Sequence, residues 1–419
     1  MTEPDAGLAA TRGLTLLVTG RCNLCCSYCY QGARPAAGAR MPWEIARRAI
    51  DALVESAHPR LTLDLSGGEP LLEPALVHRI VAYARERVPD RRRLAIVLTT
   101  NGTRLTPEHF HRFAEQDVTV RLSHDGVREA QRQRGEGTFE RLDRLLARLR
   151  AEQSSGVRAH LEVVATVNAA SAPYLARSVS YLFATGARKV NVAARFTPDP
   201  EWRPEMLEVL REQMDRVIEA SLDVWRAERR CPVSFLEPAP HRSDPGGPGF
   251  ATCGALSGRS LCVDWRGRCW PCPALADSAP ESGGRQTGAP GAFLLGRLDA
   301  GIERRVEMLA AAAPALAGAA ERPALRSSYG ECRTCEFRRE CLVCLAAVSG
   351  QDAGGGERRV PDLVCAFNQV ALAARRTYHE RRSGNGGANA SEGTRGSLEE
   401  ICELLRAAVG GRAQPPHGR

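Results

Sequence analysis

Residues 21–30 read R-C-N-L-C-C-S-Y-C-Y and place four cysteines, Cys22, Cys25, Cys26 and Cys29, within eight positions. They follow an apolar, β-rich run, Leu14–Thr19, so the cysteines begin where a first strand is expected to end. The spacing Cys22–x3–Cys26–x2–Cys29 lets three thiolates from one loop converge on one point. Three thiolates leave a fourth metal position unfilled by protein, whereas a structural zinc site closes all four. A zinc knuckle, Cys22–x2–Cys25 with Cys26–x2–Cys29, is the competing arrangement. Adjacent Cys25 and Cys26 point in different directions in most backbones, so Cys25 is expected to pack rather than ligate.

Downstream of this loop the pattern alternates. Strands are expected at Leu61–Leu65, Leu94–Thr99, Val118–Ser123, His160–Val167 and Lys189–Ala194. Helical patterns lie between them at Pro42–Ser56, Glu73–Arg87, Thr106–Glu115, Thr138–Gln153 and Ala172–Thr185, and a further helix is expected over Met206–Ala227. Six strand–helix units imply a parallel sheet with right-handed crossovers. The fold class is therefore α/β, a partial (β/α)6 TIM-type barrel, with a flat doubly wound sheet as the alternative. In a barrel, chemistry sits at the C-terminal ends of the strands. Polar, glycine-containing motifs fall there: S-G-G-E-P at Ser66–Pro70, T-T-N-G-T at Thr99–Thr103, L-S-H-D-G at Leu122–Gly126 and T-V-N at Thr166–Asn168.

Cysteines return after residue 237, where Pro, Gly and Ser become frequent and short hairpin-like pieces (Ser260–Asp264, Arg268–Trp270) appear. The order is Cys253–x13–Gly267–x4–Cys272, then Cys332–x2–Cys335–x5–Cys341–x2–Cys344, and finally Cys365. Seven cysteines exceed one zinc site. Residues 382–397 are low-complexity, and a short helix is expected over Leu398–Val409 with Cys402 as a packing residue.

These motifs together resemble the radical S-adenosylmethionine (radical SAM) superfamily, and the second cysteine set resembles its SPASM extension. The resemblance implies that Cys22, Cys26 and Cys29 hold a 4Fe-4S cluster whose fourth iron binds S-adenosylmethionine. It implies cofactor contacts from Gly67, Gly68, Glu69 and Pro70, from Thr100 and Asn101, and from Ser123 and Asp125. It assigns Cys253, Cys272 and Cys344 to a nearer auxiliary cluster, and Cys332, Cys335, Cys341 and Cys365 to a farther one. The Cys341–Cys344 gap is one residue shorter than the SPASM pattern, and the fourth ligand of the nearer cluster is left among Cys231, Cys262 and Cys269, or open to substrate. The stretch R-G-E-G-T-F, Arg134–Phe139, is a tighter copy of a motif found in many members.

The domain reading is a flexible N-terminus over 1–12, a radical SAM partial barrel over 13–235, a SPASM iron–sulfur domain over 236–380 and a mostly disordered tail over 381–419. The resemblance implies an enzyme that cleaves S-adenosylmethionine reductively to a 5′-deoxyadenosyl radical and oxidatively modifies a substrate. A ribosomally made precursor peptide, receiving a thioether or carbon–carbon crosslink, is the first expectation. A sugar or aminocyclitol dehydrogenase or epimerase, or formylglycine formation in a sulfatase, is the alternative. No domain of about 90 residues for peptide recognition precedes the first strand, so a leader is expected to dock elsewhere or on a separate partner. An electron donor such as flavodoxin or ferredoxin is also implied. No spacing singles out a catalytic acid or base; Arg195, at the end of the sixth strand, is a candidate for meeting a carboxylate.

Composition narrows the setting. The chain has 419 residues, a net charge of +8, and a single lysine, Lys189, among 57 basic residues. The arginines are spread beside Asp and Glu along helical segments, which reads as a solvated surface rather than a nucleic-acid face. Fifteen cysteines without a secretory signal point to metal or iron–sulfur ligation in the cytoplasm. No apolar run of about 18 residues occurs, so no membrane span is expected.

Overall fold

Strand pairing begins with β1 (Gly13–Thr19) lying parallel to β2 (Leu61–Gly67), and continues through β3 (Leu94–Thr100), β4 (Val118–Ser123), β5 (Leu161–Val167) and β6 (Lys189–Ala194), each parallel to the one before. The computed structural model describes residues 12–31, 39–152, 159–238, 255, 259–276, 293–298, 325–349 and 359–384. The crossovers are α1 (Trp43–Val54), α2 (Pro74–Arg87), α3 (Pro107–Glu115), the short α4 (Arg128–Gln131) with α5 (Thr138–Ala151), and α6 (Leu175–Ala184). The six-strand, parallel α/β reading of the sequence holds, as do most element bounds; the short α4 is an addition.

Alternation within the strands explains the layers. Leu61, Leu63 and Leu65, then Leu94, Ile96 and Leu98, then Val118, Val120 and Leu122 are buried on one face, in one core with residues of α1, α2, α3 and α5. The intervening positions are more polar. Thr99 Oγ1 donates to Asp64 Oδ1 at 3.2 Å, Arg121 Nη1 to Asp64 Oδ2 at 3.1 Å, and Asn191 Nδ2 to Glu162 at 3.3 Å. A charged network, Asp64–Arg121–Glu162, thus crosses four strands on the face away from the helices. Local signals start the helices: Thr106 caps α3 by accepting from His109 N at 3.2 Å, and Pro107 opens the first turn.

The cysteine-rich segment completes the sheet. β7 (Ser260–Val263) pairs parallel with β1, and β8 (Arg268–Trp270) and β9 (Gly296–Arg297) add antiparallel, giving nine strands in the order β6-β5-β4-β3-β2-β1-β7-β8-β9 among the described residues. After the β10–β11 hairpin (Arg326–Ser327, Gly330–Glu331) and the short α8 (Leu345–Ser349), the long α9 (Asp362–Gly384) packs with α7 (Met206–Glu228) and the β5–β6 side in a second core. The C-terminal segment therefore touches both ends of the parallel sheet. The expected helix over Leu398–Val409 and Cys253 lie outside the described residues. Among the described residues no helix is long and apolar enough to cross a membrane.

Candidate active site

The cysteine loop leaves the C-terminal end of β1 and is pinned from two sides. On one side the SGGEP turn passes directly beneath it: Gly68 N donates to Thr19 O and Glu69 N to Arg21 O, both at 2.8 Å. A Cβ on Gly67, whose φ is +132°, would stand 2.4 Å from Thr19 O, and one on Gly68 would stand 2.1 Å from Arg21 O. Only glycines allow the two backbones to approach this closely.

Glu69 is fully buried beneath this rim. Its carboxylate accepts from Leu71 N at 2.9 Å, Thr100 Oγ1 at 2.7 Å and Asn101 N at 2.7 Å. Burial raises its pKa against the opposing pull of these bonds. Asn101 then reaches outward, its Nδ2 donating to Asn23 Oδ1 at 3.0 Å and lying 3.8 Å from Cys22 Sγ. The SGGEP and TNG motifs therefore act as one unit: Glu69 fixes the TNG turn, and the turn fixes the first cysteine.

On the other side, residues 125–134 hold the end of the loop. Asp125 is buried and accepts two bonds from Arg134, Nε at 3.0 Å and Nη2 at 2.9 Å, one from Thr166 N at 2.9 Å, and one from the Tyr28 hydroxyl. Ser27 N donates to Gln133 O at 2.9 Å, and Cys26 Sγ lies 3.9 Å from Arg134 O. Burial pushes the Tyr28 hydroxyl above its usual range. Arg134 belongs to the RGEGTF stretch, the tighter copy of a motif found in many members of the resembled superfamily. Ser123, half-buried at the end of β4, has no side-chain hydrogen bond within the described residues, while Thr100 and Asp125 are filled by protein partners.

Cys22, Cys26 and Cys29 lie within electrostatic reach of one another; Cys26 is pushed up to about 11 by burial, reinforced by Cys29 and Cys22 and opposed by Arg134. Cys25 is exposed. The sequence suggested that the three sulfurs converge on one point. Among the described residues, however, no three His, Cys, Asp or Glu side chains close around a single ion. Glu69 and Asp125 act electrostatically on Cys22 and Cys26, but their oxygens are occupied by protein donors, and a donor set of three partly exposed thiols fits a 4Fe-4S cluster.

The second cysteine set divides in two. Cys332, Cys335, Cys341 and Cys365 line one cavity of about 360 Å³ together with Asn368 and Gln369. Cys365 Sγ accepts from Ser327 Oγ at 3.0 Å and Gln369 Nε2 at 3.3 Å, and Asn368 Nδ2 lies 3.5 Å from Cys341 Sγ. Cys344 is not in that lining. It packs with Cys272 on the barrel core, and with the residues behind the cavity. Cys262 is fully buried, and its thiol is pushed up by burial, then by Cys272, Asp264 and Cys269. Cys231 packs in the other core, beside Val233 and Tyr378, which removes it from the three candidates for a ligand near Cys272.

Two features escaped the sequence. The ring of Tyr30 lies 5.3 Å from that of Phe196, and its hydroxyl is pushed up by burial and by Cys29, Cys262 and Cys272, so it stands between the two cysteine sets. Phe196 in turn packs against the cores that hold Cys272, Cys344, Cys332, Cys341 and Cys365. The second is the Asp64–Arg121–Glu162 network; the signal for it was charge at alternate positions of otherwise apolar strands. Arg195, flagged as a carboxylate contact, donates to Thr197 Oγ1 at 2.8 Å and lies 3.8 Å from Asp199.

Comparison with known proteins follows the same lines. Residues 16–163 match the sequence profile of the Radical SAM superfamily. An uncharacterised protein of Methanocaldococcus jannaschii is 30% identical over 180 residues, 42% of this chain and 60% of that protein. A GTP 3′,8-cyclase of Synechococcus sp. is 34% identical over 151 residues, 34% of this chain and 42% of that enzyme. The match thus spans 60% and 42% of these relatives' lengths, less than two thirds of either. Among solved structures, native anSMEcpe with bound AdoMet superposes with a TM-score of 0.64 at 14% identity, covering 89% of this chain and 99% of that one. Streptococcus suis SuiB bound to S-adenosylmethionine gives 0.55 at 14% identity, covering 85% and 77%. At such identity these likenesses speak for the fold, including its cysteine-rich C-terminal part.

Proposed function

We propose that this chain is a radical SAM enzyme of SPASM type that oxidatively modifies a peptide. The observation that carries the reading is the stacking of three strand-end motifs on the cysteine loop: SGGEP beneath it, TNG against Cys22, and Asp125 with Arg134 against Tyr28. When bound at Cys22, Cys26 and Cys29, a 4Fe-4S cluster with S-adenosylmethionine supplies one-electron cleavage of the sulfonium and a 5′-deoxyadenosyl radical.

The protein's own part is positioning. Glu69 and Asn101 fix the start of the loop, Asp125 and Arg134 fix its end, and Gly67 and Gly68 keep the rim thin. In this reading Ser123, whose side chain has no hydrogen bond within the described residues, meets the cofactor. The face lined by Asp64, Arg121 and Glu162 offers charged partners to a substrate entering from the strand ends. Cys332, Cys335, Cys341 and Cys365 are placed to hold one auxiliary cluster. We assign Cys272 and Cys344, with Cys262 or Cys269, to a second; Cys253, which the resemblance adds to that set, lies outside the described residues. The absence of Cys262 and Cys269 from the SPASM pattern leaves that pair without a fixed role.

A peptide substrate is supported by the solved likeness that extends over the C-terminal segment: anSMEcpe with bound AdoMet and Kp18Cys peptide superposes at a TM-score of 0.66 over 89% of this chain. A small-molecule substrate is the second reading, favoured by the match of residues in the barrel to a GTP 3′,8-cyclase. Anaerobic reconstitution tests the first step: about twelve irons per chain and dithionite-dependent release of 5′-deoxyadenosine are expected. Retention of that release in a Cys22→Ala/Cys26→Ala/Cys29→Ala variant would refute the reading. Mass spectrometry of small peptides encoded beside the gene, with and without the enzyme, then separates the two substrate classes.

A further inference from the structure

We propose that the face around the Cys332–Cys335–Cys341–Cys365 cavity is the docking surface for a small acidic one-electron carrier protein, of flavodoxin type. The inference rests on the radical SAM reading above, which requires an electron from outside, and adds where its donor binds.

Three observations converge there. First, the thiols are partly exposed. All four of the cavity's cysteines are only partly buried, and Leu342, next to Cys341, is one of two large apolar side chains exposed among the described residues. Second, the surroundings are basic. Arg326, Arg333, Arg338, Arg339, Arg359 and Arg376 are exposed around it, against three exposed glutamates, Glu331, Glu336 and Glu340. The glutamates are already paired within the rim: Arg333 with Glu331 at 3.3 Å, and Arg376 with Glu336 at 3.2 Å and Glu340 at 2.8 Å. Among the described residues, an excess of three positive charges therefore faces outward. Third, the cavity connects inward through packed side chains. Phe196 touches the core behind it and the core holding Cys272 and Cys344, and its ring lies 5.3 Å from that of Tyr30, tilted by 44°, beside Cys29.

A small apolar knob within a basic ring suits a transient encounter: charge steers and orients an acidic partner, and the modest apolar contact lets it leave. A nucleic acid or an acidic leader peptide would also be drawn by charge. Neither gains from being held over four thiols, whereas an electron carrier does, because it must bring its redox centre close.

The test uses reconstituted holoenzyme and a purified bacterial flavodoxin as probe. Binding is measured by titration at about 50 and about 200 mM salt, and should weaken steeply over that range. The Arg339→Glu/Arg359→Glu variant, in which neither residue lines the cavity, should lose at least about tenfold in affinity. Its iron content and dithionite-driven 5′-deoxyadenosine release should stay at wild-type values, while flavodoxin-driven release falls. Arg141→Glu/Arg144→Glu, on the exposed side of α5, should bind flavodoxin as the wild type does. Equal losses in both variants, no loss in the rim variant, or tighter binding of duplex DNA or poly-glutamate than of flavodoxin at the rim would each overturn the proposal. Wild-type protein that releases no 5′-deoxyadenosine with dithionite would instead refute the radical SAM reading, and the binding arms would still judge the surface.

Discussion

The Tyr28 hydroxyl donates to the carboxylate of Asp125, a residue 97 positions further along the chain that Arg134 grips through two nitrogens. One buried carboxylate thereby ties the cysteine loop to the ends of β4 and β5. Held by a guanidinium, a phenol and a backbone N–H, this carboxylate anchors the cysteine loop through Tyr28.

Asp125→Ala should therefore act on stability and on the cluster together. It leaves Arg134 charged and buried without a partner, at a cost of about 3–5 kcal/mol. Urea denaturation should show that loss, and reconstitution should show reduced iron at the first site. A change below about 1 kcal/mol would mean that Arg134 finds another partner.

Glu69→Gln should uncouple the TNG turn from the SGGEP turn. Three donors, Leu71 N, Thr100 Oγ1 and Asn101 N, converge on the carboxylate, and the amide of glutamine turns one acceptor into a fourth donor. One buried bond is lost and one donor is left facing a donor, at about 1–3 kcal/mol. Because Asn101 lies beside Cys22, equilibrium binding of S-adenosylmethionine to the reconstituted variant should weaken as well. Unchanged affinity would show that Asn101 holds its position without Glu69.

Much of this site was legible before any coordinates. Cys22, Cys26 and Cys29, the SGGEP and TNG turns, and the six-unit alternation are local patterns, and local patterns survive in sequence. What each residue does inside the site was less legible. Glu69 and Asp125 carry motif positions associated with the cofactor, yet the structure spends their oxygens on protein donors, because a buried carboxylate must find partners wherever it sits. The partnership of Tyr30 with Phe196, and the split of the C-terminal cysteines between one cavity and the barrel core, depend on long-range packing that spacing does not encode. So does the joining of β7 to β1, which needs the whole sheet to be present before its edge exists.

Acid should destabilise the fold through His124. This side chain is fully buried between Phe139 and Tyr181, and its Nδ1 accepts from Gly126 N at 3.0 Å. Burial, aided by the positive charge of Arg134, lowers its pKa to about 3. The folded chain keeps it neutral while the unfolded chain takes up a proton below about pH 6.5, so stability falls as pH drops through that value. Between pH 7 and pH 5 the loss should be about 2 kcal/mol. His124→Asn keeps an acceptor for Gly126 N and removes the titration, so its stability should fall less over the same range. An unchanged slope in denaturation midpoints against pH would assign the acid sensitivity to other groups, among them His78, whose burial lowers its pKa to about 4.

The two auxiliary sites should empty independently. Cys335 lines the cavity with Cys332, Cys341 and Cys365, while Cys272 and Cys344 both pack against the barrel core. Cys335→Ala should remove about four of about twelve irons and leave dithionite-driven cleavage of S-adenosylmethionine intact, because the first loop is untouched. Cys272→Ala should remove a different set of about four irons, and the double variant about eight. Cys231→Ala, in the separate core with Tyr378, should leave iron content unchanged. Iron analysis and electron paramagnetic resonance of the three variants check this. A loss of all auxiliary iron from Cys335→Ala alone would mean that the cavity and the barrel-side cysteines form one cooperative unit, with α8 and its neighbouring loop unable to fold around one filled site.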